Sequence, residues 1–217
     1  MTTIIVLPIE KQTWTGTDEM LLDFISESRK NYILRYHFEV DRRLSLYAAL
    51  LTRMQLSIYT KIPADQLIFE KGAHKKPYLC NDSNVHFNYS HTKSCILLGI
   101  SDTPIGVDIE RVKDVPYSIM NSIFHPEEIK YIVQSKDEAI KSSCFFQIWT
   151  KKEALLKYNG TGLTENMKQI NTLESNLAAH YLTYEYDNYV CSVYVDNPII
   201  KTKLTVTEEM IQNFYFS

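Results

Sequence analysis

Little in this sequence breaks it into pieces. Six glycines are scattered through 217 residues, and no low-complexity tract or Pro/Gly/Ser-rich linker marks off an independent segment. Any two lobes must therefore pack closely. Uninterrupted apolar stretches such as Cys95 to Ile100 reach only about six residues, far short of the roughly 20 that a bilayer-spanning helix needs. No membrane association is expected. The first ten residues lack the basic start and small-residue cleavage site of a secretory signal and read instead as a strand, so a cytoplasmic location is the default expectation. The four cysteines, at 80, 95, 144 and 191, show neither a CxxC pair nor zinc spacing, which argues against a disulfide framework or a metal knuckle. They are expected to be buried thiols. An excess of positive charge is missing too: 23 Lys and Arg against 26 Asp and Glu give a net charge of −3, which argues against a general nucleic-acid binder.

What is present is the composition of a globular protein, 45% apolar and 23% charged, in a chain long enough for one large domain or two lobes of about 100 residues each. The basic residues are unevenly spread. Arg29, Lys30, Arg35, Arg42, Arg43 and Arg53 crowd one stretch, and Lys71, Lys75 and Lys76 follow. That region is either a solvated helix face or a surface for phosphates or an acidic partner. From Asp41 to Tyr59 the residues Leu44, Tyr47, Ala48, Leu51, Met54 and Ile58 recur at helical spacing and predict a long core-facing helix. Three consecutive strands are expected near Val85–Tyr89, Ser94–Ile100 and Ile105–Glu110. His125-Pro126-Glu127-Glu128 reads as a helix start, a second strong helix covers about 142–158 and stops at Asn159-Gly160, and Tyr181 to Val195 gives two strands around Asp187-Asn188. The order of elements hints at two similar α+β lobes, 1–103 and 104–217, joined near Thr103-Pro104.

Three patterns carry chemistry. In Gly106-Val107-Asp108-Ile109-Glu110 the two carboxylates project from one face of a strand while Val107 and Ile109 project from the other. Two acids side by side repel unless a cation lies between them, and hard oxygen ligands suit magnesium; the alternative is an ordinary half-exposed strand. In Trp149-Thr150-Lys151-Lys152-Glu153-Ala154-Leu155-Leu156-Lys157, Glu153 and Lys157 share a helix face. Phe145, Ile148, Trp149, Leu155 and Leu156 form an apolar stripe with those two charges on its flank. A surface ion pair would explain Glu153 and Lys157, and a Thr150–Glu153 capping box would waste the apolar period already running from Phe145. Neither explains Lys152, which falls inside the stripe. In Asn88-Tyr89-Ser90-His91-Thr92, adjacent Ser90 and His91 point apart on an extended chain, so they are not a nucleophile and its base. Both can donate to phosphate oxygens, although a lone histidine such as His91 is more often a satisfied structural group.

Together and in this order, Lys76-Pro77, Phe87 to Thr92, Gly106 to Glu110 and Trp149 to Lys157 resemble the 4′-phosphopantetheinyl transferases, specifically the long, surfactin-synthetase-activating type. The resemblance covers about residues 20 to 165 and takes in the helical Leu50-Leu51-Thr52-Arg53. It implies an α+β fold of two pseudo-twofold-related lobes in one chain, with the active site between them and a monomeric state. It implies a Mg2+-dependent enzyme that moves the phosphopantetheine arm of coenzyme A onto a serine of an apo acyl or peptidyl carrier protein, releasing adenosine 3′,5′-bisphosphate. Fatty-acid, polyketide and nonribosomal-peptide carriers all stay open as partners.

Carried over residue by residue, the resemblance makes Asp108, Glu110 and Glu153 the magnesium ligands, with Glu153 also the base for the carrier serine. Lys157 falls to the pyrophosphate, and Lys76, Ser90 and His91 to coenzyme A. Arg29 matches a nucleotide-binding basic residue, Tyr32 stands where another lysine is common, and Arg42 or Arg43 is a further contact of ambiguous register. Lys152 matches a family lysine without an assigned role. The segment Arg111 to Phe124 is expected to help dock the carrier. Two rivals are a Mg-dependent nuclease and a non-catalytic coenzyme A-binding module. The first usually places its Glu and Lys two apart on a strand rather than four apart on a helix. The second would be expected to lose an acid or Lys157, and all are present.

Overall fold

The computed structural model describes residues 2–72, 76–162 and 165–217; Lys75, one of the basic residues noted above, lies outside them. The chain opens with strand β1 (Thr2–Pro8). Helices α1 (Gly16–Leu21) and α2 (Glu27–Leu34) lead to the long helix α3 (Glu39–Thr60). Short strands β2 (Phe69–Lys71) and β3 (Pro77–Leu79) pair antiparallel. Then come β4 (His86–Thr92), β5 (Cys95–Ser101) and β6 (Ile105–Arg111), followed by helices α4 (Tyr117–Ile123), α5 (Pro126–Val133) and α6 (Glu138–Asn159). A one-turn helix α7 (Ser175–Ala178) precedes strands β7 (Tyr181–Tyr186), β8 (Tyr189–Val195) and β9 (Ile200–Thr205), and helix α8 (Glu208–Phe216) ends the chain. Among the described residues no helix is long and apolar enough to cross a membrane.

The expected strands and long helices are present, and both helices start before their apolar period does. The start of α6 is set by Asp137, whose carboxylate accepts the N–H groups of Ala139 and Ile140, and such a cap needs no apolar residue to fix it. Gly160, at φ 68°, takes the left-handed turn that stops the helix. Thr150 lies in mid-helix with its hydroxyl on the Phe146 carbonyl, so it caps nothing. His125 caps α5 ahead of Pro126, and the Glu128 carboxylate accepts the His125 N–H in return. Strand β9 and helix α8 have no counterpart among the elements expected from the sequence.

The architecture is α+β in four layers. One sheet has the strand order β4-β5-β1-β9 and the other β6-β8-β7. Along β1 and β5, Ile5, Leu7, Ile96, Leu98 and Ile100 face α3 and join Leu44, Tyr47 and Leu51 in one core. The alternate residues Ile4, Val6, Cys95 and Leu97 meet Ile105, Val107 and Ile109 of β6 and Cys191, Val193 and Val195 of β8. The two sheets are thus stacked by their apolar faces. Since Val107 and Ile109 point into that interface, Asp108 and Glu110 point away from it, toward α6, as strand alternation requires.

Strand β9 runs parallel to β1 at the far edge of the first sheet, and α8 packs on α3. Arg43, 1% exposed, ties this end down. Its guanidinium pairs with Asp18 of α1 and, at 2.6 Å, with Glu208 of α8, and lies 5.0 Å over the Tyr47 ring. Arg43 is therefore a packing residue and is removed from the candidate nucleotide contacts. The basic stretch is not one solvated face either: Arg42 donates to the Tyr36 carbonyl, and Arg53 donates to the carbonyls of Ala64 and Leu67 beneath Phe69. Of the four thiols, Cys95 and Cys191 are buried, whereas Cys80 and Cys144 are only half-buried.

Lys152 is fully buried, as is Glu128, and the two pair at 2.8 Å. Its ammonium also donates to the carbonyls of Met167 (2.8 Å) and Ile170 (2.5 Å). Glu128 accepts in addition from the His125 N–H and from the N–H and hydroxyl of Thr172. The lysine inside the apolar stripe thus fastens α6, α5 and the segment after α6 to one another. Stranding a buried partner of such a pair costs about 3–5 kcal/mol. Glu128→Ala should lower stability by that amount in urea denaturation. Lys152→Met should cost clearly less, because Glu128 keeps three donors. Equal losses would show that the hydrogen bonds around Glu128 carry no weight.

Candidate active site

The site forms where β4, at the edge of the first sheet, lies beside β6, at the edge of the second. The Asn88 side chain accepts the Val107 N–H at 2.9 Å and so replaces a missing rung between the two strands. Two residues on, and on the same face, the Ser90 hydroxyl donates to Asp108 Oδ1 at 2.7 Å. From α6, Lys157 Nζ donates to Ser90 Oγ at 2.7 Å and to Asp108 Oδ1 at 2.6 Å. Lys157 is thus bound to the neighbouring strand rather than to Glu153 as a surface ion pair. Asp108 is 4% exposed, and its second oxygen, Oδ2, is buried with no hydrogen-bond partner.

Two more acids surround this centre. Burial raises the pKa of Glu153 to about 7, and the charges of Asp108 and Glu110 add to the rise while Lys157 opposes it. Glu110 is raised for the same reasons, burial first and Asp108 next, with Lys113, a hydrogen bond from Trp149 and Lys157 acting against it. Asp108 thus makes both Glu110 and Glu153 harder to ionise, and Lys157 is the cation in contact with Asp108. Among the described residues no three His, Cys, Asp or Glu side chains stand ready-made around a metal position. The donor chemistry nevertheless suits a divalent cation: three carboxylates lie within range of one another's charge, one of them with an orphaned buried oxygen, and hard oxygen ligands of this kind suit magnesium.

His91 is exposed near the end of β4. Crowding by protein and then the Lys157 charge lower its pKa, with Arg29 adding to the fall and Asp41 and Asp108 opposing it. Arg29, on α2, donates to the backbone and hydroxyl oxygens of Ser45, both at 3.0 Å. It borders a cleft of about 430 Å3 that includes Tyr32, Arg53, Phe69, Lys71 and Tyr89. Lys76 is placed differently: its ammonium donates to the carbonyls of Ile105, Lys157 and Tyr158, at the C-terminal end of α6, and burial lowers its pKa. The structure thus joins Ser90, Asp108 and Lys157 directly, sets Glu110, Glu153 and His91 within reach of their charges, leaves Arg29 on the adjoining cleft, and gives Lys76 to the helix end. Asn88 and Trp149 were not singled out by the sequence. Asn88 shares the strand face of Ser90 by alternation, whereas the closeness of Trp149 to Glu110 depends on how α6 meets β6.

Comparison with known proteins adds the rest. Residues 12–101 match the family model described as 4′-phosphopantetheinyl transferase, N-terminal, and residues 104–202 match that of the 4′-phosphopantetheinyl transferase superfamily. The 4′-phosphopantetheinyl transferase gsp of Aneurinibacillus migulanus is 31% identical over 180 residues, 77% of this chain and 75% of the relative. The 4′-phosphopantetheinyl transferase psf-1 of Bacillus pumilus is 28% identical, over 72% of this chain and 67% of its own. The 4′-phosphopantetheinyl transferase Sfp of Bacillus subtilis is 24% identical, over 83% and 88%. With both halves of the sequence matched and the identity extending over most of each relative, this chain belongs to the 4′-phosphopantetheinyl transferases of the Sfp type and is an enzyme of that class.

Proposed function

We propose that the protein transfers the 4′-phosphopantetheine arm of coenzyme A to a serine of an apo acyl or peptidyl carrier protein and releases adenosine 3′,5′-bisphosphate, with Mg2+ as cofactor. The observation that carries this reading is the contact of Ser90, Asp108 and Lys157 with two further carboxylates beside them, at the junction of the two sheets. Attack by the serine hydroxyl on phosphorus builds negative charge on a pyrophosphate leaving group, so positioning and charge stabilisation do most of the work. Asp108, Glu110 and Glu153 would hold the Mg2+, which when bound supplies positive charge against the pyrophosphate. Lys157 lies where it can move its ammonium from Asp108 to a phosphate oxygen, and Ser90 can donate to the same group. Glu153 accepts the serine proton, directly or through a water. General-base assistance of this kind contributes about 10²–10⁴-fold.

The cleft beside Arg29 is the place for the nucleotide end of coenzyme A. Tyr32 holds two cations over its ring, Arg29 at 5.2 Å and Lys71 at 5.9 Å, which keeps positive charge where a lysine is absent. For the carrier, the segment Arg111 to Phe124 offers less apolar surface than its composition implies. Met120 and Phe124 are buried and Val112, Val115, Ile119 and Ile123 are half-buried against the core, while Arg111, Lys113 and Tyr117 are exposed. Docking would use those three.

Transfer is read by intact-protein mass after incubation with coenzyme A, magnesium and a panel of apo carriers. Asp108→Asn and Glu153→Gln should each lower turnover at least about 100-fold with the fold intact. Lys157→Ala should lower kcat and kcat/KM together, because it acts on charge that grows as the bond breaks. Near-normal turnover of Asp108→Asn at limiting magnesium would remove the acids from metal binding. Changing Tyr117 to Asp should raise the KM for carrier and leave that for coenzyme A unchanged; unaltered carrier kinetics would move docking to the Arg29–Arg53 region.

Metal binding can be followed without turnover. The chain has two tryptophans: Trp14 bonds Glu19 in the α1 region, and Trp149 lies beside Glu110. Magnesium should therefore change the emission of Trp149 alone. The change should vanish in Trp149→Phe and in Asp108→Asn and persist in Trp14→Phe; a magnesium response carried by Trp14 would contradict the assignment.

A further inference from the structure

Asn88 and Gly99 stand opposite each other on β4 and β5, on the face that the first sheet turns to the second. Gly99 leaves the room there and Asn88 makes the bond. A Cβ on Gly99 would lie 2.7 Å from side-chain carbons of both Ile105 and Val107, so β6 comes down where the first sheet carries no side chain. Beside that gap the Asn88 amide oxygen accepts the Val107 N–H at 2.9 Å. In an antiparallel pair every second residue of an edge strand turns its N–H and C=O away from its partner. Val107 is such a residue: β8 lies on its other side, and its N–H has no further strand of its own sheet to meet. Asn88 is 7% exposed and Val107 is fully buried, so water has little access to the group that Asn88 satisfies.

We propose that Asn88 is the positioning residue of the acid cluster: through the backbone of Val107 it sets the place of β6 against β4, and so keeps Asp108 within reach of Ser90 and Lys157. The inference rests on the reading of Asp108 as a metal ligand given above. Two observations carry it beyond packing. Among the described residues, β4 and β6 are joined by two hydrogen bonds, Asn88 to Val107 and Ser90 to Asp108, and the second belongs to the site itself. Only the first can act as a fixed stop. The other observation is that β4 cannot follow β6, because it is paired with β5 along its whole length, from His86 opposite Ser101 to Thr92 opposite Cys95. Without the Asn88 bond, Ser90 and His91 therefore stay in place and Asp108 is what moves. Asp108 Oδ1 takes both Ser90, at 2.7 Å, and Lys157, at 2.6 Å, so one small shift disturbs both contacts. A misplacement of about 1 Å can cost on the order of 100-fold in rate.

The test uses Asn88→Ala and, as the conservative change, Asn88→Asp, which keeps an acceptor oxygen at the same reach. Amide exchange followed by NMR on the full chain should show Val107 exchanging at least about tenfold faster in Asn88→Ala, with Ile5 and Leu98 of the first sheet unchanged. Slow exchange of Val107 should return in Asn88→Asp. In the emission titration, the magnesium needed for half of the Trp149 change should rise about 10- to 100-fold in Asn88→Ala, the range for a group that orients a metal ligand. In the transfer assay the same variant should lower kcat about 10- to 100-fold and leave the KM for coenzyme A within about twofold. A residue that served stability alone would move neither the magnesium midpoint nor kcat of the folded protein. Slow Val107 exchange in Asn88→Ala, an unchanged magnesium midpoint, or a raised KM for coenzyme A at constant kcat would overturn the proposal. Should the wild type modify no carrier, the transfer reading fails, and the exchange rates and the magnesium titration decide the role of Asn88 without it.

Discussion

A Cβ placed on Gly106 would lie 1.9 Å from the carbonyl oxygen of Ala154 and 2.4 Å from the backbone nitrogen of Tyr158. At that point the backbone of α6 rests on the backbone of β6 with no side chain between them, a contact that only glycine allows. The rest of the cleft follows from it. Asp108 has a short side chain, and it meets Lys157 because the helix comes this close. Glu153 and Lys157, one turn apart on α6, flank the same point. Lys76 completes the arrangement from the other end, since its bonds to the last carbonyls of α6 and to Ile105 fasten helix and strand where they meet.

Two buried charge clusters hold the pieces that this contact does not reach. Lys152 with Glu128 joins α6 to α5 and to residues 167–172. Arg43 with Asp18 and Glu208 joins α3 to α1 and α8. Buried ion pairs are weak sources of net stability, because desolvation offsets most of their attraction. They are poor glue and good registers: an apolar contact tolerates a slide of one residue, but a buried charge that slides loses every partner at once. Both clusters stand outside the acid centre, so neither draws on Asp108, Glu110 or Glu153.

The sequence made the site more legible than its surroundings. Alternation along β6 put Asp108 and Glu110 on one face before any coordinates, and helical spacing put Glu153 beside Lys157. Both are local rules that hold whatever the rest of the chain does. That Lys157 would contact Asp108 rather than Glu153 was beyond such rules, because it depends on the packing of α6 on β6. Lys152 was visible as an anomaly, a charge inside an apolar stripe, but its partner Glu128 sits on another helix where it reads as an ordinary capping residue. Arg43 misled in the opposite direction, since a run of basic residues gives no hint that one of them is buried between two acids. Strand β9 escaped notice for a similar reason. Its Lys201 and Lys203 are those of an exposed edge, and its one partner, β1, lies at the opposite end of the chain.

That pairing of β9 with β1 also bears on how the protein is made. The first sheet takes strands from residues 2–8 and 200–205, and Arg43 in α3 waits for Glu208. On the ribosome, α3 and β1, β4 and β5 emerge early, but the β9 edge of β1 and one carboxylate for a buried guanidinium are still unsynthesised. Contacts of such long separation are slow to close and leave intermediates with open strand edges. The nascent chain therefore carries an unfinished sheet until β9 and α8 have emerged, and the open edge of β1 in that interval is the kind of surface on which aggregation starts.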